Sequence, residues 1–168
     1  MVVVCQFPTA TGNFTFDTDE EGWTATTTVG SAVASQADGV LSVDFVGAAV
    51  DVGDGGAGGV PVVTPTDGDV QIVLDSLVLL PGQTVTLSIL VPADAGITDI
   101  TGFVQRGGGN QTEDIPLSVE PTADQWTTVD LVIPDTIPPN INALGIRIST
   151  NSAESFTVDL DDVVWECI

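Results

Sequence analysis

The sequence predicts an all-β protein, a two-sheet antiparallel β-sandwich or jelly roll. Three observations carry this: apolar residues recur at every second position, Val and Thr are abundant, and Gly/Pro clusters separate the alternating runs. Val and Thr branch at Cβ, which stiffens the first side-chain torsion and suits an extended backbone. Helix signals are nearly absent.

Taken in order, Phe14 and Phe16 alternate with Thr15 and Asp17, and Leu41, Val43 and Phe45 with Ser42 and Asp44. Val70, Ile72 and Leu74 oppose Gln71 and Asp75, and Val85, Leu87, Ile89 and Val91 oppose Thr84, Thr86 and Ser88. Three more runs follow: Val129-Leu131-Ile133, Leu144-Ile146-Ile148 and Phe156-Val158-Leu160. Each reads as a strand with one buried face. Between them lie Gly53-Asp54-Gly55-Gly56, Pro81-Gly82, Gly107-Gly108-Gly109-Asn110 and Pro138-Pro139-Asn140, which punctuate about nine or ten strands. Residues 53–66 read as a long glycine-rich surface loop. Many short strands without helices bury their apolar faces by stacking as two sheets. The length of 168 residues and the 43% hydrophobic content support one core, hence a single domain over 1–168.

The charge is lopsided: 24 acidic residues face only Arg106 and Arg147, with no Lys or His, for a net charge of −22. Phosphate binding needs Lys and Arg, so nucleic acid is excluded as a partner. The longest apolar runs, such as Leu77 to Pro81, are too short to insert in a membrane. Residues 1–5 lack the basic start and long apolar stretch of a signal peptide, so a secreted chain is expected to have lost its leader. Dense carboxylates suit high salt, where repulsion is screened within about 3 Å at 1 M. They also suit capture of divalent cations, and a merely soluble surface is a third reading.

Catalysis is not expected. Without His there is no Ser-His or Cys-His pair and no ordinary zinc site; without Lys or Tyr there is no Schiff base or phenolic acid. A glycosidase-type carboxylate pair arises by chance among 24 acids, so it carries no weight. Cys5 and Cys167 lie at opposite ends of the chain. First and last strands of sandwiches often lie side by side, so a disulfide is expected, the alternative being two buried thiols. Closing a loop of about 160 residues contributes about 5 kcal/mol before strain, and implies an oxidising, extracellular compartment.

The segment Phe16-Asp17-Thr18-Asp19-Glu20-Glu21-Gly22-Trp23 concentrates carboxylates that repel one another unless a cation or water accepts the charge. A second cluster is Asp159-Leu160-Asp161-Asp162, where alternation turns Asp159 and Asp161 away from the core. If the chain ends meet, both clusters approach one edge, and oxygen-only ligands suit Ca²⁺. Two solvated acidic turns are the alternative.

The acidic strand ending in Gly22-Trp23 is followed by Gly39-Val-Leu-Ser-Val, Phe103-Val104-Gln105 and Trp126-Thr127-Thr128-Val129-Asp130-Leu131. Then come Leu144-Gly145-Ile146-Arg147-Ile148 and Phe156-Thr-Val-Asp-Leu-Asp161-Asp162-Val163. This order resembles the β-jelly-roll carbohydrate-binding modules of galactose-binding-domain-like fold attached to secreted glycoside hydrolases. The resemblance implies a structural Ca²⁺ held by Asp17, Asp19, Asp161 and Asp162. It also implies a polysaccharide or oligosaccharide site on the concave sheet face or in edge loops, with aromatic platforms.

The chain departs from that pattern in having no Tyr and only 5% aromatic residues. Trp23 and Trp165 read as packing residues. Trp126 has the parity of Thr128 and Asp130 and is the candidate platform. Gln105 and Arg147 have non-core parity, and Arg106 heads the Gly107–Gly109 loop; with Trp126 they form the candidate sugar contacts. The expectation is a non-catalytic, secreted polysaccharide-binding module. The alternative is a structural subunit of a surface layer, fibre or adhesive array, in which residues 1–7 pair with a neighbour's sheet edge.

Overall fold

The alternating runs become strands, and there are thirteen among the described residues of the computed structural model: 12–14, 16, 22–28, 30–47, 50–51, 63–64, 68–93, 95–107, 111–151 and 155–165. One sheet contains β1 (Gly12–Phe14), β3 (Ser31–Ala37), β4 (Val40–Val46), β8 (Thr84–Leu90), β11 (Thr127–Val132) and β13 (Phe156–Trp165). Its order is β11-β8-β13-β4-β3, and β1 joins β13 beyond the stretch that pairs with β4. The other contains β2 (Trp23–Thr27), β7 (Gly68–Leu79), β9 (Ile97–Arg106), β10 (Gln111–Ile115) and β12 (Ile141–Thr150), in the order β10-β9-β12-β7-β2. A ribbon of β5 (Val50–Asp51) and β6 (Val63–Thr64) completes the set. All pairs are antiparallel. The architecture is the predicted β-sandwich, with β5 just before and β6 within the segment 53–66 read as loop.

Turn chemistry sets the local registers. Asp38 and Gly39 both have positive φ, 55° and 81°, the type I′ geometry whose twist matches that of a β3–β4 hairpin. Pro81-Gly82 joins β7 to β8, with Gly82 at φ 83° and Gln83 N–H donating to Leu80 C=O at 3.2 Å, as a type II turn requires.

The inner faces interdigitate. Leu41, Val43 and Phe45 of β4, Val85, Leu87 and Ile89 of β8, and Val158 and Leu160 of β13 meet Ile72 and Leu74 of β7 and Leu144, Ile146 and Ile148 of β12 in one core. Trp23 and Trp165 are buried, and the Phe16 and Trp23 rings meet edge to face at 6.4 Å. A Cβ on Gly102 would lie 2.2 Å from Leu131 Cδ2, so β9 and β11 approach as closely as they do only because this position is glycine. β3 has no large core residue; Ala32 and Ala34 pack against the core and earn it a place in the sheet.

In β13 the alternation breaks at Asp161-Asp162. Pairing with β8 runs Asp161↔Ser88 and then Val164↔Thr86, one extra residue in β13, with Asp162 at φ 50°. This β-bulge returns Val163 and Trp165 to the core after Phe156, Val158 and Leu160. The Asp161 carboxylate accepts the Asp162 N–H at 2.7 Å, giving a partner to a backbone amide at the bulge.

A Cβ on Gly145 would lie 2.4 Å from Phe103 Cζ and 2.6 Å from Ile72 O. Gly145→Ala is therefore expected to cost about 1–3 kcal/mol. Thermal unfolding by circular dichroism checks this, with a fall in Tm of several degrees expected for a chain of this size.

Candidate functional site

Burying Leu144, Ile146 and Ile148 of β12 turns Gly145, Arg147 and Ser149 to the outer face of the five-stranded sheet. The registers with β7 and β9 then generate that face row by row. Asp69, Ser149 and Asp99 form one row, and Gln71, Arg147 and Thr101 the next, extended by Thr26 of β2. Thr24, Val73, Gly145, Phe103 and Asp114 form a third, and Asp75, Ala143, Gln105 and Thr112 a fourth.

Arg147 is the centre of this surface. Its Nη2 donates to Asp114 Oδ2 at 2.7 Å, reaching diagonally over β9 to β10. The Arg147 side chain is a quarter exposed, so the pair is screened and contributes less than about 1 kcal/mol to stability. What it supplies is orientation: among the described residues one terminal nitrogen is engaged, and the planar guanidinium keeps further N–H donors at the face. Gln71 and Thr101 flank it on the adjoining strands and add amide and hydroxyl groups.

At one end Ser149 Oγ donates to Asp69 Oδ1 at 2.7 Å, and Thr101 Oγ1 donates to Asp99 Oδ2 at 2.6 Å. There a cleft of about 320 Å³ is lined by Thr28, Gly68, Asp69, Thr98, Ser149 and Thr150. A second, of about 200 Å³, shares Thr98 and adds Ile97, Asp99, Ile100, Glu120 and Pro121. Both are rich in hydroxyl and carboxylate oxygens. Phe103 has outward parity yet is buried, its ring over Gly145 in a small cluster with Val73 and Ala143. Among the described residues this face presents no exposed aromatic ring, and what it offers is hydrogen-bonding groups.

The expected contact residues divide between surfaces. Gln105 and Arg147 share the outer face of the five-stranded sheet, two rows apart. Arg106 has the parity of core-facing Val104 and forms an ion pair with Glu113 at the rim. Trp126 lies just before β11, on the six-stranded sheet, and is 47% exposed. Gln71, Thr26, Thr101 and Asp114 join the site although the sequence did not single them out. Gln71 was readable as outward-facing from its alternation with Val70 and Ile72, but nothing local places β7 beside β12.

Of the expected metal ligands, Asp161 and Asp162 sit at the bulge, next to the start of the β1 pairing at Phe14↔Val163. The beginning and end of the described chain are thus neighbours in the sheet. Asp17, Asp19, Cys5 and Cys167, like residues 1–7, lie outside the described residues. Among the described residues no group of three or more acidic, His or Cys side chains is placed to hold a metal.

This architecture is that of the β-sandwich carbohydrate-binding modules. A structure reported for the promiscuous specificity of such modules superposes with a TM-score of 0.66 at 18% identity, covering 87% of this chain and 57% of that one. The chain thus spans a little over half the length of that structure. The N-terminal cellulose-binding domain of Cellulomonas fimi β-1,4-glucanase C matches with a TM-score of 0.54 at 20% identity, over 92% of this chain and 93% of that one. A C-terminal family 22 carbohydrate-binding module from Clostridium thermocellum matches at 0.52 and 12% identity, over 96% of both. At these identities the likeness establishes the fold. No protein-family model matches the sequence, and neither does any curated protein.

Because the Arg147–Asp114 pair is exposed, Arg147→Ala is expected to change unfolding free energy by less than about 1 kcal/mol. Matched urea unfolding curves of the two proteins check this and license Arg147→Ala as a binding probe.

Proposed function

We propose that the protein is a non-catalytic module that binds polysaccharide through the outer face of its five-stranded sheet. The observation that carries this is the row Thr26, Gln71, Arg147 and Thr101, an array of hydroxyl, amide and guanidinium groups across four adjacent strands. Vicinal sugar hydroxyls are both donors and acceptors, which planar amide and guanidinium groups match in pairs. The fold is that of modules whose described members include a cellulose-binding domain, which supports the reading. The net charge of −22 and the carboxylates Asp69, Asp99 and Asp75 around the single Arg favour an uncharged glycan over an acidic one.

Isothermal titration and affinity electrophoresis against β-glucans, xylans, mannans and algal polysaccharides should show micromolar-to-millimolar binding. Arg147→Ala and Gln71→Ala should each weaken it about tenfold, the loss of roughly 1.4 kcal/mol. Trp126→Ala should leave it unchanged, because Trp126 stands on the other sheet. Loss confined to Trp126→Ala would move the site there, and silence across the panel would end the proposal.

In the same reading the module is extracellular and carries a structural Ca²⁺. Asp161 and Asp162 at the bulge supply carboxylate oxygens, and Asp17 and Asp19 follow the strand that pairs beside it. EDTA should then lower Tm, and Ca²⁺ at a hundredfold excess over Kd should restore about 2.7 kcal/mol. A melting curve indifferent to chelator removes the metal.

A further inference from the structure

β2 and β3 follow one another in the chain, end the two sheets on the same flank of the sandwich, and pack against each other. Residues 22–37, which contain both, include no Asp, Glu, Lys or Arg. The opposite flank differs. There β10 carries Glu113 and Asp114, both ion-paired, and the open side of β11 is taken up by Leu117 and Ser118.

Among the described residues, β3 also lacks the devices within a strand that blunt a sheet edge. It is seven residues long, pairs with β4 at seven consecutive positions without a bulge, and contains no Pro, Gly or charge. Among the described residues no strand pairs with its other side. Val33, 59% exposed, stands on its outer face, and diagonally from it on β4 stands Val46, 50% exposed. Backbone N–H and C=O groups along such an edge, beside two exposed valines, form a template for another strand.

We propose that β3 pairs antiparallel with β3 of a second copy of this chain, forming a two-fold dimer whose assembly is switched on by salt. The occupant follows from charge and shape. A strand laid along β3 must bring no carboxylate close to a molecule of net charge −22, and β3 is itself such a strand. Pairing about Ala34, the middle residue, sets Val33 against the second copy's Ser35, Ala32 against its Gln36 and Ser31 against its Ala37. Every facing pair is uncharged, and the contact is self-complementary, as a two-fold interface requires. The salt-dependent force opposing it is the repulsion between two bodies of charge −22. It acts over about 10 Å at 0.1 M salt and about 3 Å at 1 M. Salt therefore strengthens this contact, whereas it weakens one held by ion pairs. The proposal is independent of glycan binding.

Sedimentation velocity at fixed protein concentration, in about 0.1 M and about 1 M NaCl, tests it. Monomer at low salt and a dimer at high salt are expected, with Kd falling at least tenfold. Val33→Glu with Ser35→Glu places like charges opposite one another across the pair and should abolish the dimer while leaving the circular dichroism spectrum unchanged, since both side chains are exposed. Val132→Glu, which adds a carboxylate at an exposed position of β11, should leave the dimer intact. A monomer at every salt concentration, a dimer that dissociates as salt rises, or a dimer indifferent to the β3 double substitution would each overturn the proposal.

Discussion

The two-residue period of β12 is the constraint from which the rest of the molecule follows. Leu144, Ile146 and Ile148 lie at the centre of the core, each aligned with an apolar residue of β7. With those three inward, Arg147 has no choice of face. It must stand on the outside of the sheet between Gln71 and Thr101. A slip of one residue would exchange the sets, burying a guanidinium and exposing three aliphatic side chains, at a cost of many kcal/mol. The proposed binding surface is thus specified by the same packing that stabilises the sandwich.

A second theme is how so acidic a chain builds sheets at all, since Asp is unfavourable in strands. On both outer faces hydroxyls meet several of the carboxylates. Ser42 donates to Asp159 at 2.7 Å, Thr86 to Asp130 at 2.6 Å and Thr157 to Asp44 at 2.6 Å on the six-stranded sheet. Ser149–Asp69 and Thr101–Asp99 do the same on the other. Hydrogen bonds to charged acceptors are stronger than neutral ones, and four of these five join neighbouring strands. The abundance of Thr therefore has two causes, strand propensity and the stabilisation of anionic neighbours.

How far the site was readable varies residue by residue. The outward orientation of Arg147 and Gln105 follows from alternation with residues two positions away, a purely local relation. Trp126, just before β11, is exposed and belongs to a different sheet from Arg147, because parity says which face a residue takes and nothing about which sheet carries it. Asp161-Asp162 interrupts the alternation between Leu160 and Val163, and that interruption is the mark of the bulge. Read as a cluster of charges, it concealed a backbone feature in which Asp161 serves the amide of Asp162.

Local chemistry in the sequence by itself determined the class of fold, the inner and outer residues of most strands, the tight turn at Pro81-Gly82, and the absence of catalytic His, Lys and Tyr. These depend on torsional preference and on neighbours within a few positions. Strand order was decided only in the tertiary structure. The placing of β7 and β9 on either side of β12, of β1 against β13, and of β2 and β3 on one neutral flank joins segments tens of residues apart in the chain. Such neighbours are chosen by the simultaneous packing of two inner faces, a condition that no single strand contains.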